Sequence, residues 1–265
     1  MFPTALFNLH SNYSIGYGAS DLRSLMKTAV MYGYKTVALT DINNLYTLFN
    51  FLKDAPHFGL KAVTGSHLLD KQMNEITAYV HSYEGFSNLC QIISKIKKNP
   101  SADLHSILPG HFNGLIFTTP RIETAQWFLK NGLSENIYLE IRSNKISILQ
   151  IKAAREMNIK TIASHPVYFT NPPDYEVHRL LRAILENKTF STLDESAVVH
   201  PDTYILKPNQ LMKRYELHSQ AIENLEILAG SLNWTYPEKL KFRSKYLHET
   251  DLSPLLVKYR LYISF

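Results

Sequence analysis

Few residues in this sequence are placed to do chemistry by local spacing alone. It has no G-x-x-x-x-G-K-S/T loop, no G-x-G-x-x-G and no G-x-S-x-G. A Gly-rich phosphate cradle, a dinucleotide fingerprint and a nucleophile elbow therefore have no support. The run GYGAS at 16–20 holds two glycines and reads as a turn before a helix. The single cysteine, Cys90, falls on an apolar helical face with Phe86, Leu89, Ile93 and Ile96, so it reads as small core packing rather than a reactive thiol. His178, in YEVHRLL, lies on a helix near Leu181 and Arg182 and reads as a packing or surface histidine. Trp127 and Phe128 lie in an amphipathic stretch and read as core rather than as a partner anchor.

The elements that must position any site alternate between strand and helix. Residues 35–40 (KTVALT) and 61–64 with their flanks read as buried strands. Further short apolar runs lie at 76–80, 115–118, 137–141 and 161–163. Leu22, Leu25, Met26, Ala29 and Val30 share one helical face, with Ser20 as the expected N-cap, Asp21 in the first turn and Gly33 as the stop. Ile222, Leu225, Leu228 and Leu232 form a late helical face. Such alternation with short connections predicts a parallel sheet, open or closed into a barrel. The composition turns polar and charged near Pro237, which predicts one domain at 1–235 and a tail or linker at 236–265.

The chain has 265 residues, 45% of them hydrophobic and 19% charged. That is enough for one substantial core and does not suit a disordered tail. One cysteine forbids an internal disulfide and fits a reducing cytosol. No stretch approaches the ~18 apolar residues of a membrane span, and the N-terminus has no signal-peptide pattern, so a cytoplasmic chain is expected. The net charge of +5 is compatible with nucleic acid nearby and equally with ordinary solubility charge. The basic run at 95–98 fits the solvated end of a helix.

Four segments carry more information together than any motif above. FNLHSNYSIGYGA at 7–19 is similar to H-x-H-S-x-Y-S-x-x-D-G-A, and VALTDINNL at 37–45 to A-L-T-D-H-G-N-L. GLKAVTGSHL at 59–68 is similar to G-I-K-P-I-I-G-x-E-L. AAREMNIKTIASHPVYFTNPPD at 153–174 is similar to A-x-E-x-G-I-P-x-V-A-T-N-D-V-H-Y-x-x-P-x-D. EGFSNL at 84–89, GLIFTT at 114–119 and YLEI at 138–141 are weaker echoes, and residues 204–215 and 221–233 match a polymerase-type extension. In this order and spacing the chain resembles the PHP (polymerase and histidinol phosphatase) domain that opens bacterial C-family DNA polymerases.

The resemblance implies an α/β fold, a distorted (β/α)7 barrel, with ligands for up to three metal ions at strand ends. Such sites use His and carboxylate ligands to bind Zn- or Mn-class ions and activate water against a phosphoester. Here the first His of H-x-H is Asn8, the second is kept as His10, and the later carboxylate of that motif is Tyr17. The His of T-D-H is Ile42, although Asp41 before it survives. The next positions fall on His67, Glu75 and Arg121, and the final D-x-H becomes Pro166 and Tyr168, with His165 just before. Arg121 is expected to repel metals and to pair with Glu75 or Asp41. No catalytic residue and no cofactor are therefore expected. The alternative is one Zn or Mn ion on His10, His67, Glu75 and His165; without it those residues form a hydrogen-bonded polar plug or face solvent.

The functional expectation is a non-catalytic scaffold and interaction module of a DNA polymerase III alpha-type protein, in replication or repair synthesis. Its implied partners are the polymerase core and a proofreading exonuclease. A residual metal-dependent phosphoesterase or 3′–5′ exonuclease is one alternative, and a DNA-binding module is another.

Overall fold

The computed structural model describes residues 2–143 and 148–236. Short, mostly buried runs become its strands: β1 (Ala5–Leu9), β2 (Thr36–Leu39), β3 (Lys61–Leu69), β4 (Glu75–Val80), β5 (Leu115–Thr119), β6 (Ile137–Arg142) and β7 (Thr161–Ser164). The helices are α1 (Leu22–Met31), α2 (Leu48–Asp54), α3 (Tyr83–Lys98), α4 (Leu104–Ile107), α5 (Ile122–Lys130), α6 (Ile148–Glu156), α7 (Tyr175–Leu185), α8 (Pro208–Arg214) and α9 (Ser219–Ser231). The expected tail at 236–265 lies outside the described residues except for Tyr236.

The strands form one seven-stranded sheet in sequence order. The sheet closes on itself: Leu9 bridges Val167 in parallel, the His10 N–H donates to Val167 O at 2.9 Å, and the Val167 N–H donates to Asn8 O at 2.9 Å. Inside, Phe7 of β1 meets Tyr79 of β4, ring centroids 5.0 Å apart, although those strands are not neighbours in the sheet. The architecture is the distorted (β/α)7 barrel that the resemblance implies.

Two expectations change. The sheet is not all parallel: β4 pairs antiparallel with both β3 and β5. Only residues 70–74 separate β3 from β4, too few for the crossover a parallel pair needs, so the chain turns back as a hairpin. The N-cap of α1 is Asp21, whose carboxylate accepts from the Ser24 N–H at 3.0 Å, and not Ser20. Ser20 instead accepts from the Thr170 N–H at 3.0 Å. Gly33 does follow the helix end in a left-handed conformation, φ 89°. β1 (ALFNL) is a strand that the sequence reading did not include.

The segment that follows the strands packs on the barrel itself. Ile222, Leu225, Leu228 and Leu232 are all buried, and α9 packs against β7 and β1. Glu226 of α9 accepts from the Thr4 and Ala5 N–H groups at 2.7 and 2.9 Å, fixing the start of β1. Tyr215, fully buried, places its hydroxyl between the carbonyls of Ile141 and Ser164 and accepts from the Ser164 N–H at 3.1 Å. That hydroxyl staples β6 to β7. Tyr215→Phe is expected to cost about 1–3 kcal/mol by leaving buried backbone groups unpaired. Urea unfolding checks this, and an unchanged midpoint would rule the staple out.

Candidate functional site: a filled barrel mouth

Functional residues in such barrels gather at the C-terminal ends of the parallel strands. Because β4 runs backwards, its first residue, Glu75, lies at the same end as His67 near the end of β3. Arg142 ends β6, and His165 follows β7. The backbone of β1 re-aims the chain here: its register with β2 shifts between Leu6 and Leu9, and Asn8 adopts φ 63°. Asparagine tolerates that left-handed conformation better than most residues.

Residues 11–19 cover the mouth, and Asp41 holds them down. Its carboxylate accepts from the Ser11 N–H (2.7 Å), the Ser11 hydroxyl (2.8 Å), the Ser14 hydroxyl (2.8 Å) and the Thr47 hydroxyl (2.9 Å). Gly18 must be glycine, since a Cβ there would lie 1.8 Å from Ser11 O. Ile42 contributes backbone only: its N–H donates to Ser14 Oγ at 3.1 Å and it bridges His67 in parallel.

Beneath that loop a column of rings fills the space. His10 and His67 are 5.4 Å apart by centroid, and Tyr168 stacks on His10 at 4.2 Å with 6° between planes. Tyr17 lies 6.3 Å from Tyr168, and the Arg182 guanidinium sits 4.0 Å over the Tyr17 ring. His178 completes the clamp. Its Nδ1–H donates to Tyr17 O at 2.7 Å, and its Nε2 accepts from the Val199 N–H at 3.0 Å. His178 is thus fully buried and joins α7 to the covering loop, and it is not a surface residue. Cys90 is half-buried, and burial pushes its thiol up. Phe128 is core, with Trp127 packed against it.

A charged group lies beside the column. Arg142 Nη2 is 2.7 Å from Glu75 Oε2, and Arg142 Nε is 3.3 Å from Glu140 Oε2. Glu140 is 1% exposed and also accepts from the Thr118 hydroxyl at 2.5 Å. Burial pulls the Arg142 pKa down, but the carboxylates of Glu75 and Glu140 more than reverse that and hold it above the ordinary arginine value. This corrects the expectation for Arg121. Among the described residues no ion pair joins Arg121 to Glu75 or Asp41; it is the N-cap residue of α5. Glu140 and Arg142 were missed by the sequence reading. Their signal was two charged residues, spaced by two, in the apolar strand YLEIR.

The candidate ion-binding set assembles only in part: His10, His67 and Glu75 lie together, and His165 is committed elsewhere. His165 uses both ring nitrogens: Nε2–H donates to Tyr204 O at 2.7 Å, so Nδ1 accepts from the Ser143 hydroxyl at 2.5 Å. His67 Nε2 is 3.5 Å from Glu75 Oε2, the same oxygen that Arg142 holds. His10 donates Nδ1–H to Val167 O at 3.2 Å, and its Nε2 is buried without a partner. Pro166 has no ligating group, and Tyr168 is committed to the ring column. Among the described residues no group of three or more His, Cys, Asp or Glu is placed to hold a metal ion. The residues present do not fit the family's metal centre.

Burial sets the protonation of this cluster. It lowers His67 to about 3, with the Arg142 charge adding to the effect, and lowers His165 to about 4. His10 falls well below its ordinary value, through burial and then His67. These histidines are neutral when folded, whereas an unfolded histidine takes up a proton near ~6.5. The unfolded state therefore binds more protons below that pH, and stability falls as pH drops from about 6.5 toward 4, by up to about 1.4 kcal/mol per pH unit for each histidine. Urea midpoints at pH 7, 6 and 5 are expected to decline, less steeply in His165→Gln. A flat series would contradict neutral burial.

The PHP domain family matches residues 7–129. The DNA polymerase III alpha subunit of Buchnera aphidicola subsp. Schizaphis graminum is 29% identical over 213 residues, 68% of this chain and 18% of that protein. The alpha subunit of Aquifex aeolicus is 23% identical over 257 residues, 79% of this chain and 22% of that protein. The chain thus spans about a fifth of the length of these relatives. Among solved structures, a lesion-specific endonuclease from Pyrococcus furiosus aligns with TM-score 0.46 and 15% identity, over 63% of this chain and 49% of that one. Residues 7–129 thus match the PHP domain family, and most of the chain is similar to DNA polymerase III alpha subunits.

Proposed function

We propose that this PHP domain is non-catalytic and acts as a scaffold and interaction module in the context of a DNA polymerase III alpha-type assembly. The observation that carries this reading is the Arg142 guanidinium on the shared oxygen of Glu75, inside a mouth already filled by His10, Tyr168 and Tyr17. A hydrolytic metal centre needs open coordination positions and a path for water and phosphoester. Here the Arg142 guanidinium takes the Glu75 oxygen that faces His67, and His165 has both ring nitrogens committed elsewhere.

A second observation supports the interaction role. Helix α7 turns its polar residues His178 and Arg182 inward and presents Val177, Leu180, Ile184 and Leu185 to solvent. Exposed apolar stripes of this kind mark contact surfaces. The occupant we assign is polymerase-type chain, because the relatives that match here carry several times this domain's length in further sequence.

The test has two parts. Purified protein is expected to hold no stoichiometric zinc, manganese or iron by elemental mass spectrometry and to leave a simple phosphodiester unhydrolysed. The double variant Leu180→Glu/Ile184→Glu is expected to keep its melting temperature and to lose binding to the polymerase region of an alpha-type chain by at least tenfold, about 1.4 kcal/mol. One bound ion with phosphodiesterase turnover would replace the scaffold reading with the hydrolase one. Unchanged binding by the double variant would move the contact surface elsewhere.

A further inference from the structure

We propose that Arg142 is the resident cation of this site, a guanidinium tethered to β6 that takes over the charge-balancing role of a metal ion. Three observations converge. Glu75 and Glu140 place carboxylate oxygens at the barrel mouth, and Glu140 is buried, so their charge needs a cation. Arg142 supplies it from a strand end, with Nη2 on Glu75 Oε2 and Nε on Glu140 Oε2. His67 Nε2 faces the same Glu75 oxygen at 3.5 Å, so an ion held between His67 and Glu75 would need the position that the guanidinium holds. Nearby, His10 Nε2 and His67 Nδ1 are buried without hydrogen-bond partners. With Nδ1–H donating to Val167 O, His10 Nε2 carries a lone pair, a ligand atom with no partner in this structure.

A guanidinium suits this exchange. It stays charged when buried, and its fork reaches two carboxylates at once. Because it is covalently held, the charge balance does not depend on metal supply. Removing it leaves Glu75, Glu140 and the two unpartnered histidines with an unmet need for a cation.

The experiment is a melting-temperature comparison of the full chain and its variants, in chelator and in micromolar zinc. The wild type is expected to melt at the same temperature in both, within about 1 °C. Arg142→Ala is expected to melt several degrees lower in chelator and to recover at least half of that loss in zinc. Arg142→Ala/Glu75→Gln, which neutralises the shared carboxylate, is expected to show no zinc recovery. A wild type that loses stability in chelator, or an Arg142→Ala protein that ignores zinc, overturns the proposal. Should Arg142→Ala fail to fold, Arg142→Lys decides: it keeps the point charge and is expected to be insensitive to zinc, whereas a zinc response there overturns the assignment. The proposal shares the Arg142–Glu75 contact with the scaffold reading, but its readouts concern stability, whereas that reading is decided by partner binding and hydrolysis.

Discussion

A buried carboxylate on β6 constrains the whole upper half of the barrel. Glu140 is out of water, and an ion in that position costs several kcal/mol unless it is paired and hydrogen-bonded. The hydroxyls of Thr118 on β5 and Thr77 on β4 donate to Oε1, and Arg142 approaches Oε2. Arg142 in turn reaches Glu75 on β4, which faces His67 on β3. One charged unit therefore fastens four consecutive strands at their functional end. Such a network has one satisfied arrangement and many unsatisfied ones, which gives it geometric specificity.

The covering loop shows how a retained acid can serve a different end. Asp41 keeps the position it holds in the family pattern, yet its oxygens are used by Ser11, Ser14 and Thr47. A carboxylate with that many donors is held in place and already solvated by protein. It pins the loop that carries Tyr17, and Tyr17 is clamped from above by Arg182 and His178 on α7. The inverted amphipathicity of α7 follows from this. Its inward face must supply polar groups to the loop, so its apolar residues are left facing solvent. Filling the mouth and exposing an apolar helix are two consequences of one arrangement.

At the opposite side of the sheet the extension takes part in the fold. Glu226 of α9 caps the first N–H groups of β1, and Asn224 donates to Thr161 O at the start of β7 at 2.7 Å. Tyr215 joins β6 and β7, and the Leu9–Val167 bridge closes the ring between β1 and the segment after β7. The first and last strands are thus joined by backbone pairing and by side chains from residues that follow the barrel.

Much of this was legible in the sequence, for physical reasons that differ by element. β2 through β7 and the faces of α1, α3 and α9 follow from short buried runs and from apolar spacing, which are local properties. The order and spacing of four segments carried the resemblance, and with it the expectation of a barrel and of non-ligating residues at Asn8, Tyr17, Ile42, Pro166 and Tyr168. The sequence could not say which charges meet. Arg121 and Arg142 are both arginines near strand ends, and only the tertiary structure brings Arg142 to Glu75 and leaves Arg121 as the N-cap residue of α5. The reversal of β4, the commitment of both His165 nitrogens and the burial of His178 were likewise settled by packing. Local sequence determines which groups a segment offers; which of them share a buried volume depends on strand order and register, and those are fixed only when the barrel closes.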